Sequence, residues 1–199
     1  MNNEMTDVVP DKVTDRIAEP VFNIAHVKLC TEVEGPFRRC CIWFQGCILG
    51  CPGCINPDLQ ELRPRHILPL SRVSEIVAGA AEKFAIEGIT LSGGEPLLQQ
   101  GLWQLCREIR AMGLGIILFT GFPPEKIPRE IRAHADLALA GPYIAERHDD
   151  TRFLIGSENK EIVEYTSRYH EELSYFDIRN HDIMEEVCLG DDEIFFNGN

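Results

Sequence analysis

The chain has 199 residues, 44% of them hydrophobic and 26% charged, enough for one globular domain with a sizeable core and too few for a second full one. Its 32 acidic and 19 basic residues leave a net charge of −13, which repels nucleic acid and anionic membrane and removes both from the expected partners. The opening residues carry no basic stretch followed by an apolar run, and the uncharged stretch from Cys40 to Pro57 is broken by three glycines and two prolines, so neither a secretory signal nor a bilayer span is expected and the protein reads as cytoplasmic.

Residues 1–20 are polar with two prolines and read as a flexible N-terminal arm ahead of a single domain over 21–199. Ile24 to Leu29 and Cys40 to Phe44 read as strands. Beyond a cysteine-rich loop, Ser71 can cap a helix whose Val73, Ile76, Val77, Ala80 and Phe84 form one stripe. Gly88 ends it, and Ile89 to Leu91 begin a strand. A second helical stripe, Leu98, Leu102, Leu105, Cys106 and Ile109, closes near Gly113, and Gly115 to Phe119 is a buried strand. Pro124 to His134 predicts a short helix and Leu137 to Leu139 a strand. Glu185 to Leu189 and Glu193 to Phe196 predict a hairpin turning on Gly190-Asp191-Asp192.

Alternating strands and helices imply an α/β fold with a parallel sheet. The expected form is a partial (β/α) TIM-like barrel of about five to six mostly parallel strands with helical crossovers, plus the short C-terminal hairpin. Two loops, 46–56 and 92–96, each follow a predicted strand. Ligands of parallel sheets bind at the strands' carboxyl ends, so both loops belong to one site.

The first loop reads Gln45-Gly46-Cys47-Ile48-Leu49-Gly50-Cys51-Pro52-Gly53-Cys54-Ile55-Asn56-Pro57. Eight cysteines without an export signal argue against a disulfide framework. Three thiols at C-x3-C-x2-C, in a loop that Gly46, Gly50 and Gly53 let turn tightly, can meet one four-iron cluster. Such a cluster normally takes four thiolates, so one iron stays open to another ligand. The competing readings are a zinc knuckle, with His66 as a fourth ligand, or cysteines packed as small hydrophobes. The second loop is Leu91-Ser92-Gly93-Gly94-Glu95-Pro96, whose glycines can bring backbone N–H and C=O groups close to a ligand.

Together these residues resemble the radical S-adenosylmethionine superfamily. That resemblance implies a [4Fe–4S] cluster on Cys47, Cys51 and Cys54, with S-adenosyl-L-methionine bound at the open iron. It implies reductive cleavage of that molecule to methionine and a 5′-deoxyadenosyl radical. Gly53, Cys54 and Ile55 would then lie near the adenine, and Gly93, Gly94 and Glu95 near the methionine end. Thr120, at a strand end, would touch the ribose or simply form a turn before Gly121.

Further segments, namely Gly35-Pro36, Arg39, Ile42 to Cys47, Phe119 to Phe122, Asp136 to Tyr143 and Gly156-Ser157 with Asn159, resemble the activating proteins of anaerobic ribonucleotide reductase. The similarity runs over roughly residues 24–163. It implies a glycyl radical enzyme as partner and a flavodoxin-like or other low-potential electron donor. Phe37 and Ala140 depart from the branch, which usually has glycine and an acidic residue there. Chemistry on a small molecule or peptide, as in 7-carboxy-7-deazaguanine synthase-like enzymes, is the alternative, and a plain iron–sulfur electron carrier a third. Cys30, Cys40, Cys41, Cys106 and Cys188 read as core residues, and His148-Asp149-Asp150 as a charged surface loop.

Overall fold

The computed structural model describes residues 18–181, 185–189 and 194–198. Strand β1 (Val21–Thr31) pairs antiparallel with β2 (Arg39–Phe44) and with the short β3 (His66–Pro69). Helix α1 (Leu70–Phe84) leads to β4 (Gly88–Gly93), α2 (Leu102–Ala111) to β5 (Gly115–Thr120), and α3 (Arg129–Arg132) to β6 (Leu137–Ala140). Strand β7 (Glu161–Glu164) follows. The sheet order is β3-β1-β2-β4-β5-β6-β7, with β8 (Glu185–Leu189) and β9 (Ile194–Gly198) forming a separate antiparallel hairpin.

The α/β class holds, but the sheet has seven strands and is mixed. Pairings β2–β4, β4–β5 and β5–β6 are parallel, whereas the three outer pairings are antiparallel. The reason lies in the connections. Only seven residues join β1 to β2, too few for the crossover that a parallel neighbour requires. Strands β3 and β7, of four residues each, were too short to show a period in the sequence.

Each helix buries its apolar stripe on one face of the sheet. Val73, Val77, Leu105 and Ile109 pack there with Cys40, Ile42, Phe44, Ile89, Leu91, Ile116 and Leu118. The period-2 alternation of β2 then turns Cys41 and Trp43 to the other face, with Ala25 and Leu59. Cys40 and Cys106 are buried thiols that burial pushes up to about 12. Cys41 is raised well above the usual thiol range for the same reason, so these are packing residues. The Cys188 side chain lies outside the described residues. Ala140 sits in the helix-side core, so its departure from the activase pattern changes packing behind the sheet.

Two local expectations change. Ser71 does not cap α1. Instead the Glu19 carboxylate accepts from the Ser71 N–H and hydroxyl (2.8 and 3.1 Å), and the Pro20 carbonyl accepts from the Leu70 N–H. The proposed arm is thus tied down at residues 19–20, and residues 1–17 lie outside the described ones. Helix α1 ends at Ala85 in the left-handed region (φ 48°), so Gly88 opens the next strand. No helix among the described residues is long and apolar enough to cross a membrane.

Beneath the sheet's amino end, Arg39 is fully buried. Its guanidinium donates to Thr90 Oγ1 (2.9 Å), the Ile89 carbonyl (2.5 Å), the Pro36 carbonyl (3.2 Å), Glu87 (3.2 Å) and Tyr169 Oη (2.9 Å). Tyr169 in turn donates to Glu87 (2.6 Å). This arginine is a rivet, at the end of the sheet away from both motif loops. Arg39→Leu would leave the buried Ile89 and Pro36 carbonyls and the Thr90 hydroxyl oxygen without their guanidinium donor. It should lower the unfolding free energy by about 3 kcal/mol in urea titration.

Candidate active site

Parallel pairing in register places Trp43 beside Ser92 and Phe44 beside Gly93. The loop after β2 and the loop after β4 therefore leave the sheet side by side, as their sequence positions implied. Both line one cleft of about 570 Å³, on the face opposite the helices. Cys47, Cys51, Gly53, Cys54 and Ile55 come from the first loop, Ser92, Gly93 and Gly94 from the second, and Thr120 and Gly121 from the end of β5.

The two loops are welded through their backbones. The Gly94 N–H donates to the Phe44 carbonyl (2.8 Å) and the Glu95 N–H to the Gly46 carbonyl (3.0 Å). A Cβ on Gly94 would lie 2.4 Å from the Gly46 oxygen and 2.7 Å from the Leu59 oxygen. On Gly93 (φ +108°) it would lie 2.3 Å from the Phe44 nitrogen. No side chain fits either space. The glycines are thus required by the cysteine loop itself, and the N–H groups of residues 94 and 95 are spent on that contact.

Glu95 is fully buried and absent from the cleft lining. Its carboxylate accepts from the Leu97 N–H (2.9 Å), the Thr120 hydroxyl (2.8 Å) and the Gly121 N–H (2.8 Å). Burial raises its pKa, and those three bonds work against the shift. Glu95 therefore clamps the end of β4 to the end of β5. Thr120 reaches the cleft wall, but its hydroxyl proton is committed to Glu95.

In the cysteine loop Gly46, Gly50 and Gly53 all take positive φ (100°, 59° and 72°), the tight turning that the sequence implied. Burial raises the Cys47 thiol, and the Leu49 N–H, 3.4 Å from its sulfur, offsets part of that. Cys47, Cys51 and Cys54 all line the cleft, and among the described residues no three Cys, His, Asp or Glu side chains gather as they would for a single metal ion. A four-iron cluster takes thiolate donors, so these three cysteines would hold one and leave one iron without a cysteine from this loop. The donor set fits the cluster.

The far wall was less legible. Tyr143 packs over Gly53, 3.4 Å from where a Cβ would be, and pairs edge to face with His148 at 6.4 Å. Leu154, Ile155, Gly156 and Lys160 complete it. Asp149, expected on the surface, is 7% exposed and anchors this wall. It accepts from Thr151 N–H (2.9 Å) and hydroxyl (2.7 Å) and pairs with the Arg152 guanidinium. Arg152 then donates to the carbonyls of Ser157, Glu158 and Lys160 at 3.1–3.2 Å. No period or motif announces a latch made across a loop.

Two measurements test this construction. Gly94→Ala should push the cysteine loop off the sheet and cut reconstituted iron to a small fraction of wild type, whereas Gly79→Ala, on α1 with open space around it, should leave iron unchanged. Desolvation alone would raise the Asp149 carboxyl, but its Thr151 and Arg152 bonds outweigh that and hold it well below the usual carboxylate range. Its folded pKa is therefore lower than its unfolded one, near 4. Its stabilisation is present above about pH 4 and is lost as pH falls through the folded value. Asp149→Asn should flatten the fall in melting temperature below that pH.

A family model described as a 4Fe–4S single cluster domain matches residues 33–163. The anaerobic ribonucleoside-triphosphate reductase-activating protein of Enterobacteria phage T4 is 28% identical over 148 residues, covering 71% of this chain and 93% of that protein. The protein of the same name from Escherichia coli K12 is 27% identical over 139 residues, 65% and 90% of the two chains. The pyruvate formate-lyase-activating enzyme of Staphylococcus aureus USA300 is 30% identical over 147 residues, 68% of this chain and 58% of that one. With the matched segment holding both welded loops and the latch, the chain belongs to the 4Fe–4S single cluster domain family, in the radical S-adenosylmethionine branch of these activating proteins.

Proposed function

We propose that residues 21–199 form a single radical S-adenosylmethionine domain that installs a glycyl radical on a partner enzyme of the anaerobic ribonucleoside-triphosphate reductase kind. The observation that carries this reading is the cleft itself. Three thiols and a glycine turn share one wall at the carboxyl ends of the parallel strands. The relatives are by name activators of such enzymes.

In this reading Cys47, Cys51 and Cys54 hold the [4Fe–4S] cluster, which in reduced form supplies the electron that cleaves S-adenosylmethionine to methionine and a 5′-deoxyadenosyl radical. Gly93 and Gly94, fixed against Phe44 and Gly46, present backbone to the methionine end. Gly53, Cys54 and Ile55, beneath Tyr143, offer a shelf for the adenine. Thr120, held by Glu95, lies at the ribose. The central parallel strands act as part of an open (β/α) barrel whose mouth admits a glycine-bearing loop. Ile48 and Ile55, 60% and 74% exposed at that rim, give the partner an apolar seat that keeps water from the radical. A flavodoxin-like protein or another low-potential donor supplies the electron.

The test is anaerobic reconstitution, reduction and addition of S-adenosylmethionine, with 5′-deoxyadenosine measured by chromatography. Wild type should form it, and Cys51→Ala should lose essentially all of it. Adding a partner with a C-terminal glycyl radical motif should yield a glycyl radical EPR signal on the partner. A reduced four-iron protein whose cluster spectrum ignores S-adenosylmethionine would overturn the proposal.

A further inference from the structure

The cysteine loop is held on two sides. Gly94 and Glu95 hold it from the sheet, and residues 58–61 hold it from the other side. The Gly46 N–H donates to the Leu59 carbonyl (2.8 Å) and the Cys47 N–H to the Gln60 carbonyl (3.0 Å). What fastens residues 58–61 is Gln45, directly ahead of the loop and 2% exposed. Its Nε2 donates to the carbonyls of Asp58 (3.3 Å) and Glu61 (2.8 Å), which flank the two carbonyls that receive the loop. Both partners are acceptors, so the amide nitrogen, not the oxygen, must face them.

The backbone of Gln45 is committed as fully. Its N–H donates to the Asn23 carbonyl on β1 (2.8 Å), and its carbonyl accepts from Gln99 Nε2 (3.4 Å). Its side-chain oxygen, by contrast, is buried with no hydrogen-bond partner among the described residues. A buried acceptor left unpaired costs stability, so the amide is kept here for its two donors. Their effect reaches Cys47. With the Cys47 N–H drawn to Gln60, the chain turns so that the Leu49 N–H lies 3.4 Å from the Cys47 sulfur. Reduction adds negative charge to an iron–sulfur cluster and its thiolates. An N–H donor on a ligating sulfur therefore favours the reduced state and raises the reduction potential.

Resting on the function proposed above, we infer that Gln45 is a positioning residue for electron uptake. Through residues 58–61 it holds Cys47 so that the Leu49 N–H bonds to its sulfur, and it thereby raises the cluster's reduction potential. The rival role is that of a packing amide, which holds the loop and leaves the potential alone. The two roles differ in one respect: only the first acts through the Leu49 N–H.

The experiment is a dye-mediated redox titration of the reconstituted protein, followed by EPR in the absence of S-adenosylmethionine. Three proteins are compared with wild type. Gln45→Met removes both donors at similar volume. A second protein has the peptide bond before Leu49 replaced by an ester, which removes that one N–H and no side chain. The third combines the two changes. At a fixed solution potential, the ester should lower the ratio of reduced to oxidised cluster roughly threefold to tenfold, the worth of one hydrogen bond. Gln45→Met should lower it within the same range, and the combination no further than the ester alone, because both act through one bond. Iron content and melting temperature of Gln45→Met should stay close to wild type, since the change also removes the unpaired acceptor. Gln104→Met, which removes another buried unpaired side-chain oxygen on α2, should leave the ratio unchanged. Additive falls, no fall with either single change, or a loss of iron in Gln45→Met as severe as in Gly94→Ala would overturn the inference and leave the packing role. If the wild type held no reducible four-iron cluster, the inference would fall together with the function beneath it. A wild type that reduces and cleaves S-adenosylmethionine, with no shift in the variants, would sink the inference alone.

Discussion

The structure depends on one backbone contact: the amides of Gly94 and Glu95 meeting the carbonyls of Phe44 and Gly46. A cysteine loop rich in positive-φ glycines has little rigidity of its own. It gains a fixed position only because the turn after the neighbouring strand can approach to atomic contact, which requires the absence of a side chain at two successive positions. Glu95 extends the constraint to β5 by capturing Thr120 and Gly121. Three strand ends are thereby locked into one rim, and the wall that carries the thiols inherits its geometry from that lock.

The two ends of the sheet are built for different purposes. At the amino end, polar side chains are satisfied by one another. Arg39, Glu87, Thr90 and Tyr169 bond among themselves, and small residues at Gly88 and Gly115 make room for the tyrosine. At the carboxyl end, a cleft stays open, with Lys160 on its wall. The closed network below gives the rigidity that such an open site lacks.

The far wall shows how a loop without regular structure acquires a defined shape. Asp149 and Arg152 form a pair only three residues apart, yet the guanidinium reaches three carbonyls further along the chain. Each captured carbonyl would otherwise need water, so the arginine acts as a template for the turn from 149 to 160. The backbone at position 160 is held by it through the Lys160 carbonyl.

The sequence by itself determined what depends on local spacing. The thiols at 47, 51 and 54, the glycine turn at 92–96, the stripes of α1 and α2 and the strand preceding each motif were all legible, because loop reach and helical or strand period are short-range properties. Their convergence at one sheet edge was legible too, since parallel strands leave no other place for two strand-end loops. Only the tertiary structure decided which groups are spent on the protein and which remain for a ligand. Glu95 sits inside the ligand-like motif yet is consumed by Thr120 and Gly121, while Lys160 carries no motif and faces the cleft. It also decided that the β1–β2, β1–β3 and β6–β7 pairings are antiparallel, and that Asp149 is an anchor. Hydrogen-bond partners and strand directions at the sheet's edges are fixed by residues far apart in the chain, and no local period encodes them.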